Sequence, residues 1–139
     1  MGLPLTPVSS HDAKVVAANL LQGNHAKPNY PGVPSVAFTI PPIAPVGLTE
    51  CRARDRACGT QQASEWFTAR QSAEPIYGHE VLLDESGDQI LGAHLVSPDA
   101  DEVINVFALA IRNELKATQL KSTMFAYPTG ASDIGYMLD

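Results

Sequence analysis

Residues 77–116 read YGHEVLLDESGDQILGAHLVSPDADEVINVFALAIRNELK, and this stretch decides the fold class. Its first half predicts a β-hairpin, because strand-forming runs at 77–83 and 89–96 lie on either side of a turn at 85–88. The turn reads Glu-Ser-Gly-Asp, which combines glycine with residues that favour tight turns. We therefore expect two neighbouring antiparallel strands here.

The second half of the stretch predicts a long helix over residues 99–116. Pro98 precedes it, and Asp99 and Glu102 have the spacing of a capping box. Apolar residues recur on one side of the helix, and Leu109 and Ala110 extend the apolar character around it. This helix is expected to be deeply buried.

The remaining segments add helices and strands around the hairpin and its helix. In chain order they are an extended lead at 3–8, a helix at 10–22, a strand at 35–40, a short helix that opens at Thr49 and ends near Gly59, a strand at 64–71, a helix at 118–123 and a final helical turn or two after 127–130. The prolines at 41, 42 and 45 are expected to end the 35–40 strand, because proline donates no ladder hydrogen bond. Hairpins followed by a block of helices predict an α+β fold with a mainly antiparallel sheet flanked by helices.

The composition excludes several classes of function. The chain has 139 residues, of which 45% are hydrophobic and 17% charged, and a net charge of −6. We expect no binding to nucleic acid, which needs a basic face. The basic cluster of Arg52, Arg54 and Arg56 is interspersed with acidic residues and is interpreted as a solvated helix face. The longest apolar run, 106–111, is too short to cross a membrane, and no secretory signal is visible, so the prediction is a cytoplasmic protein.

No complete active site is visible in the sequence itself. Two cysteines do not make a disulfide framework, and Cys51 and Cys58 are interpreted as ordinary surface residues. The alternative is a reactive thiol of lowered pKa at Cys51, near a helix start. No metal site is predicted, and no glycine fingerprint for a nucleotide is present. Hydrogen-bonded structural roles are expected for the scattered histidines, which are His11, His25, His79 and His94.

Four segments follow one another along the chain with distinctive sequences. They are SVAFTIPPIAPVGLTE at 35–50, ILGAHLVSPDA at 90–100, the helical segment 102–111 and FAYPT at 125–129. Together they resemble the C-terminal dimerisation domain of the FAD-dependent pyridine nucleotide–disulfide oxidoreductases, in the branch of glutathione reductase and mercuric reductase. The lead and helix at 3–22 resemble the last piece of that family's FAD-binding domain, so the resemblance covers nearly the whole chain.

The resemblance implies an architecture and a division of the chain. Residues 1–30 would be the tail of an FAD-binding domain, and residues 31–139 the dimerisation domain of a homodimer. The FAD-binding and NAD(P)-binding domains and the redox cysteine pair would be partners outside this sequence. FAD and NAD(P)H are therefore the expected cofactors of the full-length reductase. Neither is expected on this chain alone, which should be colourless and without reductase turnover.

The same resemblance indicates the candidate catalytic residues. In the family, a His-Pro turn near the C-terminus enters the partner's active site, where a glutamate holds the histidine that acts as base. Tyr127 stands at the histidine position and is followed by Pro128, while Ser132 stands at the glutamate position with Asp133 beside it. Tyr127, with Asp133 as its partner, is the catalytic candidate. A tyrosine is a poor base at neutral pH but can donate a hydrogen bond. The alternative is that Tyr127 is a packed turn aromatic.

The resemblance also indicates residues near the flavin, and the sequence leaves more than one function open. Thr6 and Pro7 resemble residues whose backbone lies beside the flavin ring, and Pro128 is taken as a third cofactor-binding residue. The leading function is the dimerisation domain of a flavoprotein disulfide reductase. One alternative is a free-standing protein that self-associates or caps a partner without catalysis. The other is a thiol enzyme with Cys51 as its nucleophile.

Overall fold

The computed structural model describes residues 4–49, 58–62, 66–71, 73 and 75–139. Two units divide the chain, Met1–Pro31 and Gly32–Asp139. Among the described residues, the first unit holds one helix, and the second holds the sheet and the remaining helices.

The first unit is built on helix α1, Thr6–Gln22. The helix expected at 10–22 is confirmed, but it begins earlier, so the prediction of an extended lead as far as residue 8 is wrong. Pro7 lies in the first turn, where its missing N–H would have no acceptor within the helix in any case. Gly23 follows the last turn with a φ of 86°, a conformation that favours glycine.

The second unit contains a four-stranded antiparallel sheet with the order β1-β4-β3-β2. Its strands are β1, Ile43–Gly47; β2, Cys58–Gln62; β3, Gly78–Leu83; and β4, Ile90–Val96. The predicted hairpin is confirmed as β3 and β4. The Asp84 carboxylate accepts hydrogen bonds from the amides of Asp88 and Gln89, each 3.0 Å long, and so fixes the turn between these strands. The α+β class with a mainly antiparallel sheet is confirmed.

The first strand lies further along the chain than predicted. A strand was expected at 35–40 with Pro45 ending its pairing, but the structure places the strand at Ile43–Gly47, with Pro45 inside it. Strand β1 is an edge strand of the sheet, with β4 as its neighbour. Just after β1, the Leu48 amide donates to the Leu91 carbonyl at 2.9 Å. Only alternate residues of a strand bond a given neighbour, and Pro45 belongs to the other set. The amide side of Pro45 therefore faces away from β4, where no ladder donor is needed.

Two further predictions need correction between β1 and β3. The strand expected at 64–71 is wrong where the structure describes it, because Phe67–Gln71 forms helix α2. Ala69 and the two residues after it are good helix formers, and the loose alternation around the aromatic residues imitated a strand. The helix expected from Thr49 to Gly59 falls mostly on residues 50–57, outside the described residues. Its predicted end is wrong, since Cys58 and Gly59 belong to β2.

The long helix α3, Ala100–Arg112, is shorter than the predicted 99–116. It ends because Glu114 adopts a φ of 54°. The Leu115 amide then bonds the Ala110 carbonyl at 2.9 Å, and the Glu114 amide bonds the Ile111 carbonyl at 3.2 Å. These two bonds form a Schellman motif, which ends a helix by a left-handed residue.

The predicted capping box at the start of α3 is wrong. Asp99 stands at the N-cap position, but its side chain makes no capping hydrogen bond. Its carboxylate lies instead against Gly130, where a Cβ would be 3.0 Å from Oδ2 of Asp99.

Short helical segments follow α3 as the sequence indicates. They are α4, Ala117–Lys121, then a 3-10 helix, Gly130–Asp133, which continues into α5, Ile134–Met137. No helix within the described ranges is long and apolar enough to cross a membrane.

The core lies between α3 and one face of the sheet. Alternate strand residues point towards the helix and are buried, and they meet the buried side of α3, as predicted for this helix. The buried residues of this core include Val46, Leu95, Ile104, Phe107 and Ile134. The opposite face of the sheet carries half-exposed residues, including Ile43, which is 47% exposed.

Candidate functional site

The candidate site is the turn that begins at Tyr127 and leads into the C-terminal helical segment. Its Tyr127–Pro128 peptide bond is cis. Thr129 and Ser132 close the turn by reciprocal hydrogen bonds. The Ser132 hydroxyl donates to the Thr129 carbonyl at 2.6 Å and accepts from the Thr129 amide at 3.2 Å, while the Thr129 hydroxyl accepts from the Ser132 amide at 3.3 Å. The Ser132 side chain thus serves the turn itself.

Tyr127 projects from this turn with 69% of its surface exposed. Its ring stacks on that of Phe67 of α2, with 5.9 Å between centroids and 24° between planes. Phe67 is itself 50% exposed. The contact orients Tyr127 and leaves the rest of its surface accessible. The stacking on Phe67 agrees with the alternative of a packed turn aromatic, and both interpretations of Tyr127 remain predictions.

Asp133 lies in the interior, and its two carboxylate oxygens are used there. Oδ1 accepts a hydrogen bond from the Thr68 hydroxyl at 3.0 Å, and Oδ2 accepts one from the Tyr77 hydroxyl at 3.1 Å. Burial raises the pKa of Asp133 above its ordinary value, and the two hydrogen bonds oppose that change only in part. Burial and the charge of Asp133 also raise the pKa of Tyr77, so its phenol is a hydrogen-bond donor at all ordinary pH values.

The base of the turn is pressed against the start of α3. A Cβ at Gly130 would lie 2.8 Å from Cβ of Asp99 and 3.0 Å from Cγ2 of Val103, so only glycine fits here. A cavity of about 400 Å³ opens beside this contact, lined by polar groups of Thr68, Asp99 and Thr129. The turn therefore has a fixed base beneath an exposed aromatic tip.

The sheet brings two of the histidines close to other candidate groups. His94 Nδ1 lies 2.5 Å from a carboxylate oxygen of Glu80 on the neighbouring strand, which confirms a hydrogen-bonded role for this residue. His79 is buried beside Trp66, with 5.0 Å between ring centroids, and no residue in the described part of the chain hydrogen-bonds its Nδ1. Among those residues, the hydrogen bond expected for this histidine is not found at that nitrogen. Burial lowers the pKa of His79.

The other predicted site residues lie apart from this turn. Thr6 and Pro7 form the first turn of α1, in the first unit. Cys51 lies outside the described residues, and Cys58 opens β2. Within the described part of the chain, no three His, Cys, Asp or Glu side chains are grouped in a way that could hold a metal.

Sequence reasoning missed Phe67, Thr68 and Tyr77, which contact the turn from other elements. Thr68 and Asp133 are 65 positions apart, and Tyr77 and Asp133 are 56 apart. No local pattern links residues at such separations. The one signal in the sequence is the adjacent aromatic pair Trp66 and Phe67, which Thr68 follows directly.

Comparison with known proteins identifies the family. The family model of the pyridine nucleotide-disulphide oxidoreductase dimerisation domain matches residues 33–137. The chain belongs to this family. The resemblance predicted from the sequence and the interpretation as a dimerisation domain of a disulfide oxidoreductase are therefore confirmed, and the match favours them over a free-standing capping protein.

Individual relatives agree with this assignment. An "uncharacterized 19.7 kDa protein in mercuric resistance operon" of Staphylococcus aureus is 50% identical over 99% of this chain and 78% of its own length. Dihydrolipoyl dehydrogenase of Chlamydia muridarum is 34% identical over 90% of this chain and 28% of its own. Glutathione reductase of Burkholderia cepacia is 30% identical over 94% of this chain and 30% of its own.

A solved structure shows the same fold. The HOCl-induced flavoprotein disulfide reductase RclA of Escherichia coli superposes with a TM-score of 0.87 over 99% of this chain and 33% of its own, at 24% sequence identity. The chain thus spans about a third of the length of this reductase. It spans slightly less than a third of the dihydrolipoyl dehydrogenase and of the glutathione reductase.

Proposed function

We propose that this chain is the interface domain of a homodimeric flavoprotein disulfide reductase that uses FAD and NAD(P)H, and that it delivers the Tyr127 turn to the partner's active site. In this proposal residues 1–30 are the tail of the FAD-binding domain and residues 31–139 the dimerisation domain. A cytoplasmic location and a role in redox homeostasis are part of the same proposal and rest on the resemblance to the family.

One observation carries the proposal: a fixed turn that ends in an exposed aromatic residue. Thr129, Gly130 and Ser132 hold the backbone by hydrogen bonds and close packing, while Tyr127 keeps 69% of its surface exposed. A rigid loop that presents one side chain is suited to entering a site on another subunit, because little conformational entropy is lost on binding.

The chemistry available to Tyr127 differs from that of the family's histidine. A phenol is a poorer base than an imidazole at neutral pH. It can donate a hydrogen bond to a thiolate, a flavin or a substrate oxygen. Asp133, which the sequence suggests as its partner, has both oxygens bonded to Thr68 and Tyr77. We therefore propose Tyr127 as a donor that stabilises negative charge.

The described residues fit a contribution to flavin binding but not a complete flavin site. Thr6 lies in the first turn of α1, where backbone N–H groups have no acceptor within the helix, and the N-cap residue Leu5 provides no side-chain cap. Such amides suit an electron-rich flavin edge, with Pro7 beside them and Pro128 supplied by the partner's turn. When bound, FAD would carry electrons from NAD(P)H to the redox cysteines of the other domains.

The sheet face opposite α3 is the proposed dimer surface. It carries a groove of about 570 Å³ lined by Ile43, Ile76 and Val96 around the His94–Glu80 pair. Ile76 is 51% exposed and Ile43 is 47% exposed. Exposed apolar area of this kind is typical of protein interfaces, and a second copy of this chain is the occupant that membership of a dimerisation family favours.

Sedimentation across a dilution series tests the proposal. We expect a dimer that persists on dilution, and a shift to monomer in Ile76→Glu, because a charge would be buried at the interface. Leu109→Glu is the matched control, since Leu109 is 59% exposed on the side of α3 away from the sheet. A monomeric wild-type chain, or equal effects of the two variants, would contradict the proposal.

An absorbance spectrum of the purified chain tests the cofactor part of the proposal separately. We expect no flavin band, because the fingerprint for the FAD pyrophosphate is absent from the sequence. A stoichiometric flavin band would show that this chain binds FAD by itself and would overturn this part.

A further inference from the structure

Two neighbouring residues of helix α2 contact the Tyr127 turn and the segment after it, one by ring stacking and the other by a hydrogen bond. Phe67 stacks on Tyr127, and Thr68 donates a 3.0 Å hydrogen bond to Asp133. Successive residues of a helix point about 100° apart, so fixing the direction of one fixes the direction of the next. The Thr68–Asp133 bond therefore constrains the direction of the Phe67 side chain.

Helix α2 needs such a contact because it is short. It has five residues, and an isolated helix of that length is not stable in water. Ala69 is buried and holds the helix to the core, but Phe67 is 50% exposed and is not fixed by burial alone. On the same helix, Thr68 makes a polar contact with the C-terminal segment through its hydrogen bond to Asp133.

Asp133 is itself held in place from a third element. Its side chain is 4% exposed, and its second oxygen accepts the hydroxyl of Tyr77, just before β3. Asp133 also ends the 3-10 helix that follows the Tyr127 turn. One buried carboxylate thus connects the C-terminal segment, α2 and the sheet, while Tyr127 and Phe67 meet outside it.

We propose that Asp133 is a positioning residue for Tyr127, acting through Thr68 and Phe67: the buried carboxylate orients α2 so that the Phe67 ring holds the Tyr127 ring in a fixed direction. The functional meaning of this arrangement rests on the proposed role of Tyr127. The structural claim concerns this chain alone and is tested on it.

The test is nuclear magnetic resonance of the two rings in matched variants. Thr68→Val removes the hydroxyl and keeps the shape of the side chain, whereas Thr68→Ser keeps the hydroxyl. Phe67→Leu supplies the chemical shifts of an unstacked Tyr127. We expect the cross-peaks between the Phe67 and Tyr127 rings to be lost in Thr68→Val, with the Tyr127 ring shifts moving to those of Phe67→Leu. Thr68→Ser should retain both signals.

Two further variants separate positioning from general stability. Tyr77→Phe removes the other hydrogen bond of Asp133, so we expect lower stability with the stack retained. Asp133→Asn keeps an acceptor oxygen and should weaken the stack less than Asp133→Ala. An unchanged ring stack in Thr68→Val and Asp133→Ala, with the β3–β4 hairpin signals intact, would overturn the inference. A monomeric chain in sedimentation would contradict the proposed function and leave this result standing.

Discussion

The hydroxyl of Tyr77 donates a 3.1 Å hydrogen bond to the buried carboxylate of Asp133, and so joins the residue before β3 to the C-terminal segment. With Thr68 on its other oxygen, this carboxylate is engaged inside the domain and does not point to the exposed Tyr127. The carboxylate that the sequence suggests as the partner of Tyr127 is thus bonded to Thr68 and Tyr77 inside the domain. Its burial also has a measurable consequence for the pH dependence of stability.

The first prediction concerns Asp133→Asn and pH. Burial raises the folded-state pKa of Asp133 above the unfolded value of 3.8. The stability that the protonated group contributes is fully present below the unfolded pKa. It is lost as pH rises through the folded pKa. Asn stays neutral, so the free energy of unfolding of Asp133→Asn should rise relative to wild type as pH increases from 3 to 7, as measured by urea denaturation.

Asp88→Asn is the control with the opposite sign. Hydrogen bonds from Lys116 and Thr118 lower the pKa of Asp88. The stability contributed by Asp88 is therefore present above its unfolded pKa and lost as pH falls. This variant should lose stability relative to wild type as pH rises. The same slope for both variants would show that the burial of Asp133 does not determine its effect.

The second prediction concerns acid sensitivity at His79. Burial lowers the pKa of His79 below 6.5, so its stabilising contribution is present above pH 6.5 and lost as pH falls through the folded pKa. His79→Phe removes the buried Nδ1, which has no partner among the described residues and whose desolvation costs about 1–3 kcal/mol, and it keeps a ring beside Trp66. We expect the variant to be more stable than wild type at both pH values. The difference in the free energy of unfolding should be larger at pH 5 than at pH 7.5.

Trp66 gives a direct signal for this measurement, because it is the single tryptophan of the chain. Urea unfolding followed by its fluorescence at the two pH values supplies the comparison. His25→Phe, at an exposed position, is the matched control: it retains His79 and should therefore keep the wild-type acid response that His79→Phe loses. An equal acid response of wild type and His79→Phe would refute the prediction.

The third prediction concerns the glycine at the base of the candidate turn. Gly130→Ala should destabilise the protein by about 1–3 kcal/mol, because its Cβ would lie 2.8 Å from that of Asp99. Gly135→Ala, in α5 a few residues on, meets nothing nearer than the Lys121 carbonyl at 3.9 Å. That control should be neutral or stabilising by up to about 1 kcal/mol, because alanine is the better helix former. Thermal unfolding of the two variants measures both effects.

The parts of the fold that could be predicted from the sequence are those set by local patterns. The β3–β4 hairpin follows from alternation and from the Asp84 turn, and the buried side of α3 follows from its apolar period. The position of strand β1 was predicted wrongly because proline was expected to end a strand. Pro45 is tolerated inside β1 because its amide side faces outward at an edge, and the edge position of β1 follows from the strand order. That order is a property of the whole sheet.

The candidate site likewise contains residues that a local sequence pattern could predict and residues that it could not. Tyr127 could be found because the YPT sequence resembles a family motif, whereas Phe67 and Thr68 come from a segment whose helical structure the sequence did not indicate. Asp99 has the spacing of a helix cap, yet its side chain packs against Gly130 from the C-terminal segment. Contacts between distant segments outweigh local capping preferences here, and a single sequence carries no record of them.

The last prediction concerns the end of α3, where the sequence indicated a continuing helix. Glu114 occupies the left-handed position of the Schellman motif, with a φ of 54°. This conformation costs a residue with a Cβ about 1–2 kcal/mol, and glycine avoids the cost but gains entropy in the unfolded chain. Glu114→Gly should therefore raise the free energy of unfolding by roughly 0.5–1 kcal/mol and the melting temperature by about 1–4 °C. Glu114→Ala removes the same charge but keeps the Cβ, so it should give no such gain. If alanine stabilised the protein as much as glycine, the charge of Glu114 rather than its backbone conformation would be the cause.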